Sequence, residues 1–123
     1  CNLINVIHPD TSISKDISLG TGIFIARNVS INSFVKIEDD VIINTSATID
    51  HECNIGSESH IAPGAVLLGN VKVGKNSFIG ANSVIKEGLV LGRNIKTGAG
   101  SVVVKNIPNN EIWVGNPASK LIK

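Results

Sequence analysis

The sequence predicts an all-β solenoid, a parallel β-helix wound from six-residue units. From Ile7 to Val103 every sixth residue is Ile, Leu or Val at sixteen of seventeen positions, Thr97 being the exception, although these types make up only 39 of 123 residues. The position four residues further on is also small or apolar, from Ile17 through Cys53 and Ser59 to Val71. A sustained period of six fits neither an α-helix nor an alternating strand; it fits short strands joined by corners and stacked in coils.

Each unit then reads as one short strand and one corner, and three units close a triangular coil of eighteen residues. Coils stack at roughly 4.8 Å, the spacing of hydrogen-bonded strands. Gly, Asn and Asp recur where corners demand tight or positive-φ backbone. One coil cannot bury its own apolar side, so stability must come from its neighbours.

In chain order, Cys1–Val6 reads as a lead-in strand or a linker from a preceding domain, and Ile7–Ile107 as the solenoid, with no loop inserted. Pro108–Glu111 is a turn. Ile112–Lys123 leaves the repeat and caps its open end, with Pro117 placed to start a short cap helix. A first residue Cys1 and the lack of any methionine read as a piece of a longer protein.

Composition narrows the function. Two cysteines, Cys1 and Cys53, make neither a disulfide framework nor a zinc site, and Cys53 falls on an inward position that suits a buried thiol. With no long apolar run and no signal peptide, a soluble cytoplasmic protein without a membrane partner is expected. A net charge of +1 argues against nucleic acid. Its distribution is uneven: residues 1–60 hold three Lys/Arg against eight Asp/Glu, a balance of −5, and residues 61–123 hold eight against two, a balance of +6. That asymmetry points to an anionic ligand on the C-terminal half.

The histidines are His8, His51 and His60. The spacing of nine between His51 and His60 does not match the close pair plus a third histidine of a zinc-binding solenoid, so no metal is expected. His51 stands near a corner, flanked by Asp50 and Glu52. An imidazole there suits a general base, and a neighbouring carboxylate would hold its tautomer. Adjacent strand residues face opposite ways, so a His51–Glu52 contact requires a corner conformation. The residues alone leave this reading level with an exposed surface histidine.

The run IDHECNIGSESHIAPGAVLLGNVKVG, residues 49–74, resembles the catalytic segment of the sialic-acid O-acetyltransferase-like family, which includes bacterial nucleotide-sugar N-acetyltransferases of the bacillosamine type. The likeness extends from NLINVIHP to the WVGNPASKLI tail. It implies a left-handed solenoid, a homotrimer with acetyl-CoA between adjacent solenoids, and a preceding nucleotide-sugar-binding domain. Carried over residue by residue, it makes His51 the general base and Glu52 the carboxylate that orients it. His60 becomes a contact of acetyl-CoA, Gly69 an N–H donor to the thioester carbonyl, and Asn44 a substrate-binding residue. Lys72, Lys75, Lys86, Arg93, Lys96 and Lys105 are then candidates for the CoA phosphates. The implied reaction is acetyl transfer to an amine or hydroxyl of a sugar, the expected acceptors being nucleotide-linked amino sugars. Sialic acid or another hydroxyl acceptor, and a non-catalytic trimeric scaffold, are the alternatives.

Overall fold

A computed structural model describes residues 4–122. Seventeen two-residue strands run from Val6–Ile7 to Val102–Val103. Each of the first fourteen pairs in parallel with the strand eighteen residues further on, as Thr48 with Val66 and Asn54 with Lys72. Three sheets result. Face A contains Phe24–Ile25, Ile42–Ile43, His60–Ile61 and Phe78–Ile79. Face B contains Ser30–Ile31, Thr48–Ile49 and Val66–Leu67; face C contains Lys36–Ile37, Asn54–Ile55 and Lys72–Val73.

The second residue of each strand points inward, and from Ile25 to Val103 this column is buried. The predicted repeat is therefore the core. Thr97, its polar member, is buried too, and is satisfied: its Oγ1 accepts the Gly80 N–H at 2.9 Å and meets Ser83 Oγ at 3.1 Å.

The outward residue of a strand and the residue that follows the strand donate to the carbonyl seventeen residues ahead, as Thr48 to Ala65 at 2.9 Å and Gly56 to Val73 at 2.8 Å. Corner N–H groups donate to the coil behind, as Glu52 to Ser33 at 2.9 Å and Asn70 to His51 at 2.8 Å. Every sixth residue from Gly22 to Gly100 occupies the left-handed region. Most are Asn, Asp or Gly, which visit it at least cost. Phe34 is the bulky exception, with φ 60° and a side chain 68% exposed.

After Val103 the coil loses two residues. Ile107 bridges Leu91 and Ile112 pairs with Lys96, both sixteen apart rather than eighteen. The cap helix expected after Pro117 does not form. Instead Ile112–Gly115 extends face A, the chain reverses at Asn116 and Pro117, and Ala118–Lys120 returns antiparallel. The reason is physical: Ile112, Trp113 and Val114 favour strand, the last rung at Lys96–Thr97 offers unpaired backbone groups, and a helix this short cannot offset its nucleation cost. Trp113 packs on the core, its Nε1 donates to Glu111 Oε1 at 3.0 Å, and Lys120 Nζ lies 3.4 Å from Glu111 Oε2. That hydrogen bond, with Lys120 behind it, holds the Glu111 carboxyl below its usual pKa.

The opposite end is less covered, with Ile7 exposed and Ile13, Ile17 and Leu19 only half-buried. Among the described residues no helix is long and apolar enough to cross a membrane.

Two substitutions test this stack by thermal or denaturant unfolding. Ile49→Ala, in the buried column, should cost about 2–5 kcal/mol. Phe34→Asn should raise stability, by about 1 kcal/mol, because it relieves a left-handed aromatic without uncovering the core.

Candidate active site

His51 opens the corner that carries the chain from face B to face C. Asp50 Oδ1 fixes the start of this corner, accepting the His51 N–H at 2.8 Å and, from the coil behind, Asn32 Nδ2 at 3.0 Å. The left-handed φ of 59° at Glu52 then turns its side chain back toward the ring. Glu52 Oε1 lies 3.3 Å from His51 Nδ1. The corner conformation that the contact required is present. A carboxylate at Nδ1 holds a proton there and leaves Nε2 as the open acceptor.

Nε2 faces Gly69, eighteen residues on and one coil ahead. A Cβ on Gly69 would sit 2.5 Å from Nε2 and 2.7 Å from Cε1, so the ring occupies the space a side chain would need. Among the described residues the Gly69 N–H donates to no protein acceptor. An outward N–H with no protein partner is a ready donor to developing negative charge.

His60 lies elsewhere. It points outward from face A, with Nε2 3.2 Å from Asn44 Nδ2 and its ring edge-on to Phe78, centroids 5.1 Å apart. Partial burial lowers its pKa below the ordinary histidine value. Face A lies across the prism from the corner of His51. One chain thus brings His51, Glu52 and Gly69 together, and separately Asn44 and His60. It does not bring the two groups to each other.

The cations sort by edge as well. Lys75 and Arg93 share the corner between faces C and A, Lys72 projects from face C and Lys96 from face A. Lys86 and Lys105 stand ahead of Gly69 on the B–C edge and are exposed. A shallow depression of about 370 Å³ borders the same edge behind His51, lined on face B by Ser30, Asn32, Thr48 and Asp50. Among the described residues no three His, Cys, Asp or Glu side chains converge as metal ligands.

Sequence reasoning missed the Asn44–His60 pair and one surface pattern. The outward residues of face A are Val6, Phe24, Ile42, His60 and Phe78, then Lys96 and Ile112, in register through the sheet. Val6, Phe24, Ile42, Phe78 and Ile112 are exposed. The equivalent row of face B is Ser12, Ser30 and Thr48, then Val66, Val84 and Val102, and that of face C is Ser18, Lys36, Asn54 and Lys72, then Val90. The signal has a period of eighteen, invisible to a search at six.

The profile described as the hexapeptide repeat of succinyl-transferase matches residues 70–105. The chain belongs to the hexapeptide-repeat family. The acetyltransferase domain of PglB from Neisseria gonorrhoeae is 36% identical over 98% of this chain, with a TM-score of 0.96, and has also been solved with acetyl coenzyme A. PerB from Caulobacter crescentus, solved with CoA and GDP-perosamine, is 36% identical over 98% of the chain at a TM-score of 0.97. WeeI from Acinetobacter baumannii is 31% identical over 96% of it, at 0.93. The chain spans 58% of the length of each of these relatives.

Two measurements follow from the geometry. Gly69→Ala must displace the His51 ring, so the ring resonances of His51 should move in NMR spectra while circular dichroism stays unchanged. For His60, the folded pKa lies below the unfolded value near 6.5, so its contribution to stability is complete above that pH and is lost as pH falls toward the folded pKa. Unfolding midpoints should therefore drop below about pH 6.5 more steeply in the native chain than in His60→Asn.

Proposed function

We propose that this chain is the catalytic solenoid of an acetyl-CoA-dependent N-acetyltransferase whose acceptor is the amino group of a nucleotide-linked sugar. The observation that carries the reading is the corner itself, with the His51 ring set between the Glu52 carboxylate and the bare Cα of Gly69. The relatives supply the substrate class: one was solved with acetyl coenzyme A and another with CoA and GDP-perosamine, the latter also as variants with one histidine replaced.

In this mechanism the acceptor amine attacks the thioester carbonyl from the side of the coils behind His51, where the face-B depression lies. His51 Nε2 takes the amine proton as the C–N bond forms. Glu52 stabilises the resulting imidazolium, and the Gly69 N–H holds the oxyanion of the tetrahedral adduct. Collapse expels CoA thiolate, which takes the proton back from His51. The pantetheine arm runs ahead along the B–C edge, where Lys86 and Lys105 stand to meet its phosphates.

The second group completes the site from another copy. Face A is an apolar stripe, and it carries His60 with Asn44. Docking face A of one copy against the His51 edge of the next is a head-to-tail contact, and three such contacts between triangular prisms close a ring. A homotrimer covers the stripe and brings Asn44 and His60 of one copy beside His51, Glu52 and Gly69 of its neighbour. The coils wind left-handed in this reading. A domain outside the solenoid holds the nucleotide, against the less covered end near Ile7. Acetyl-CoA as donor makes the cytoplasm the place of reaction.

His51→Ala should lower kcat roughly 10²–10⁴-fold in a CoA-release assay with folding intact, and an unchanged rate would remove His51 from the role of base. Mixing inactive His51→Ala with inactive His60→Ala chains under exchange should restore part of the activity. Some interfaces in the mixture join two intact halves. Two variants that stay inactive when mixed would place both halves in one chain.

A further inference from the structure

Four inward side chains share one device. Ser59 Oγ donates to the Gly74 carbonyl at 3.1 Å, Ser77 Oγ to Gly92 at 3.2 Å and Ser83 Oγ to Gly98 at 3.0 Å. Cys53 Sγ donates to the Leu68 carbonyl at 3.2 Å in the same way, each across fifteen residues. The acceptor is always the residue that follows an inward aliphatic or Thr97, so each bond reaches from the core to the peptide that opens a corner one coil ahead.

At Cys53 that peptide is Leu68–Gly69. Its carbonyl turns inward to the thiol. The bond is trans, the only cis peptide among the described residues being Asn116–Pro117, and across a trans peptide the N–H points opposite to the C=O. The Gly69 N–H is therefore aimed outward, on the residue whose Cα faces the His51 ring, with no protein acceptor of its own.

We propose that Cys53 is a positioning residue: its hydrogen bond to the Leu68 carbonyl locks the Leu68–Gly69 peptide with the N–H presented to the acetyl carbonyl. This rests on the acetyltransferase reading above for its catalytic consequence, though not for its geometry. Burial pushes the Cys53 thiol up to about 11, so it stays protonated and remains a donor at working pH. The same contact explains why the position is polar here, whereas Ala47 and Ala65, its counterparts one unit earlier and two later, are buried without a polar group. An oxyanion donor aimed in advance needs no reorganisation during the reaction.

The test compares Cys53→Ala, which removes the donor, with Cys53→Ser, which replaces it by the group used at Ser59, Ser77 and Ser83. Cys53→Ala should lower kcat by roughly 10-fold, short of the ~10²–10³ that loss of a whole oxyanion donor costs, with KM for acetyl-CoA unchanged. Cys53→Ser should recover most of that loss. In the absence of substrate, the Gly69 amide cross-peak in 15N–1H spectra should move in Cys53→Ala and return toward its native position in Cys53→Ser. Equal kcat in the native and Ala chains overturns the proposal, as does a Gly69 amide indifferent to both changes. A native chain that releases no CoA while its Gly69 amide responds as described refutes the acetyltransferase reading and leaves the positioning intact.

Discussion

From Val6 to Val84 each outward strand N–H bonds to a carbonyl seventeen residues ahead, and that constraint governs the rest of the structure. It forces each coil to the same length, because one added residue would turn an inward aliphatic outward along with every residue after it. Ile43, Ile61, Ile79 and Thr97 therefore stack in one column, and the corners repeat with one backbone conformation. The chain departs from this length only after Val103, where the repeat ends and the hairpin closes the stack.

The same constraint builds the site. Residues eighteen apart are neighbours, so His51 has Ser33 behind it and Gly69 ahead, and nothing about their separation in sequence weakens their contact. The corner adds what a strand withholds. A left-handed Glu52 folds its carboxylate back to the preceding histidine, and the missing side chain at Gly69 leaves room for the ring. The geometry of this corner is a by-product of repeat geometry with three substituted positions.

The repeat was legible in the sequence because burial and period coincide: inward residues recur at six, and Ile, Leu and Val mark them. His51, Glu52 and Gly69 were legible through resemblance, and their proximity follows once eighteen residues make a coil. The end of the chain was misread, since Pro117 carries a helix signal that weighs little against an open sheet edge next to Ile112, Trp113 and Val114. The separation of His60 from His51 was hidden for a different reason. Nine residues is half a coil, which places the two on opposite sides of the prism. Cys53 reads as a plain buried thiol until its carbonyl partner is seen.

Acetyl transfer in the proposed form requires a site completed between copies, with acetyl-CoA held there. Calorimetric titration of acetyl-CoA, run beside mass measurement in solution on the native chain and on a Phe78→Glu variant that disrupts face A, examines this directly. The account predicts binding near one per subunit by a three-copy assembly, and none by the dissociated variant. Equal binding by the lone subunit, or no binding by an intact three-copy assembly, would contradict it.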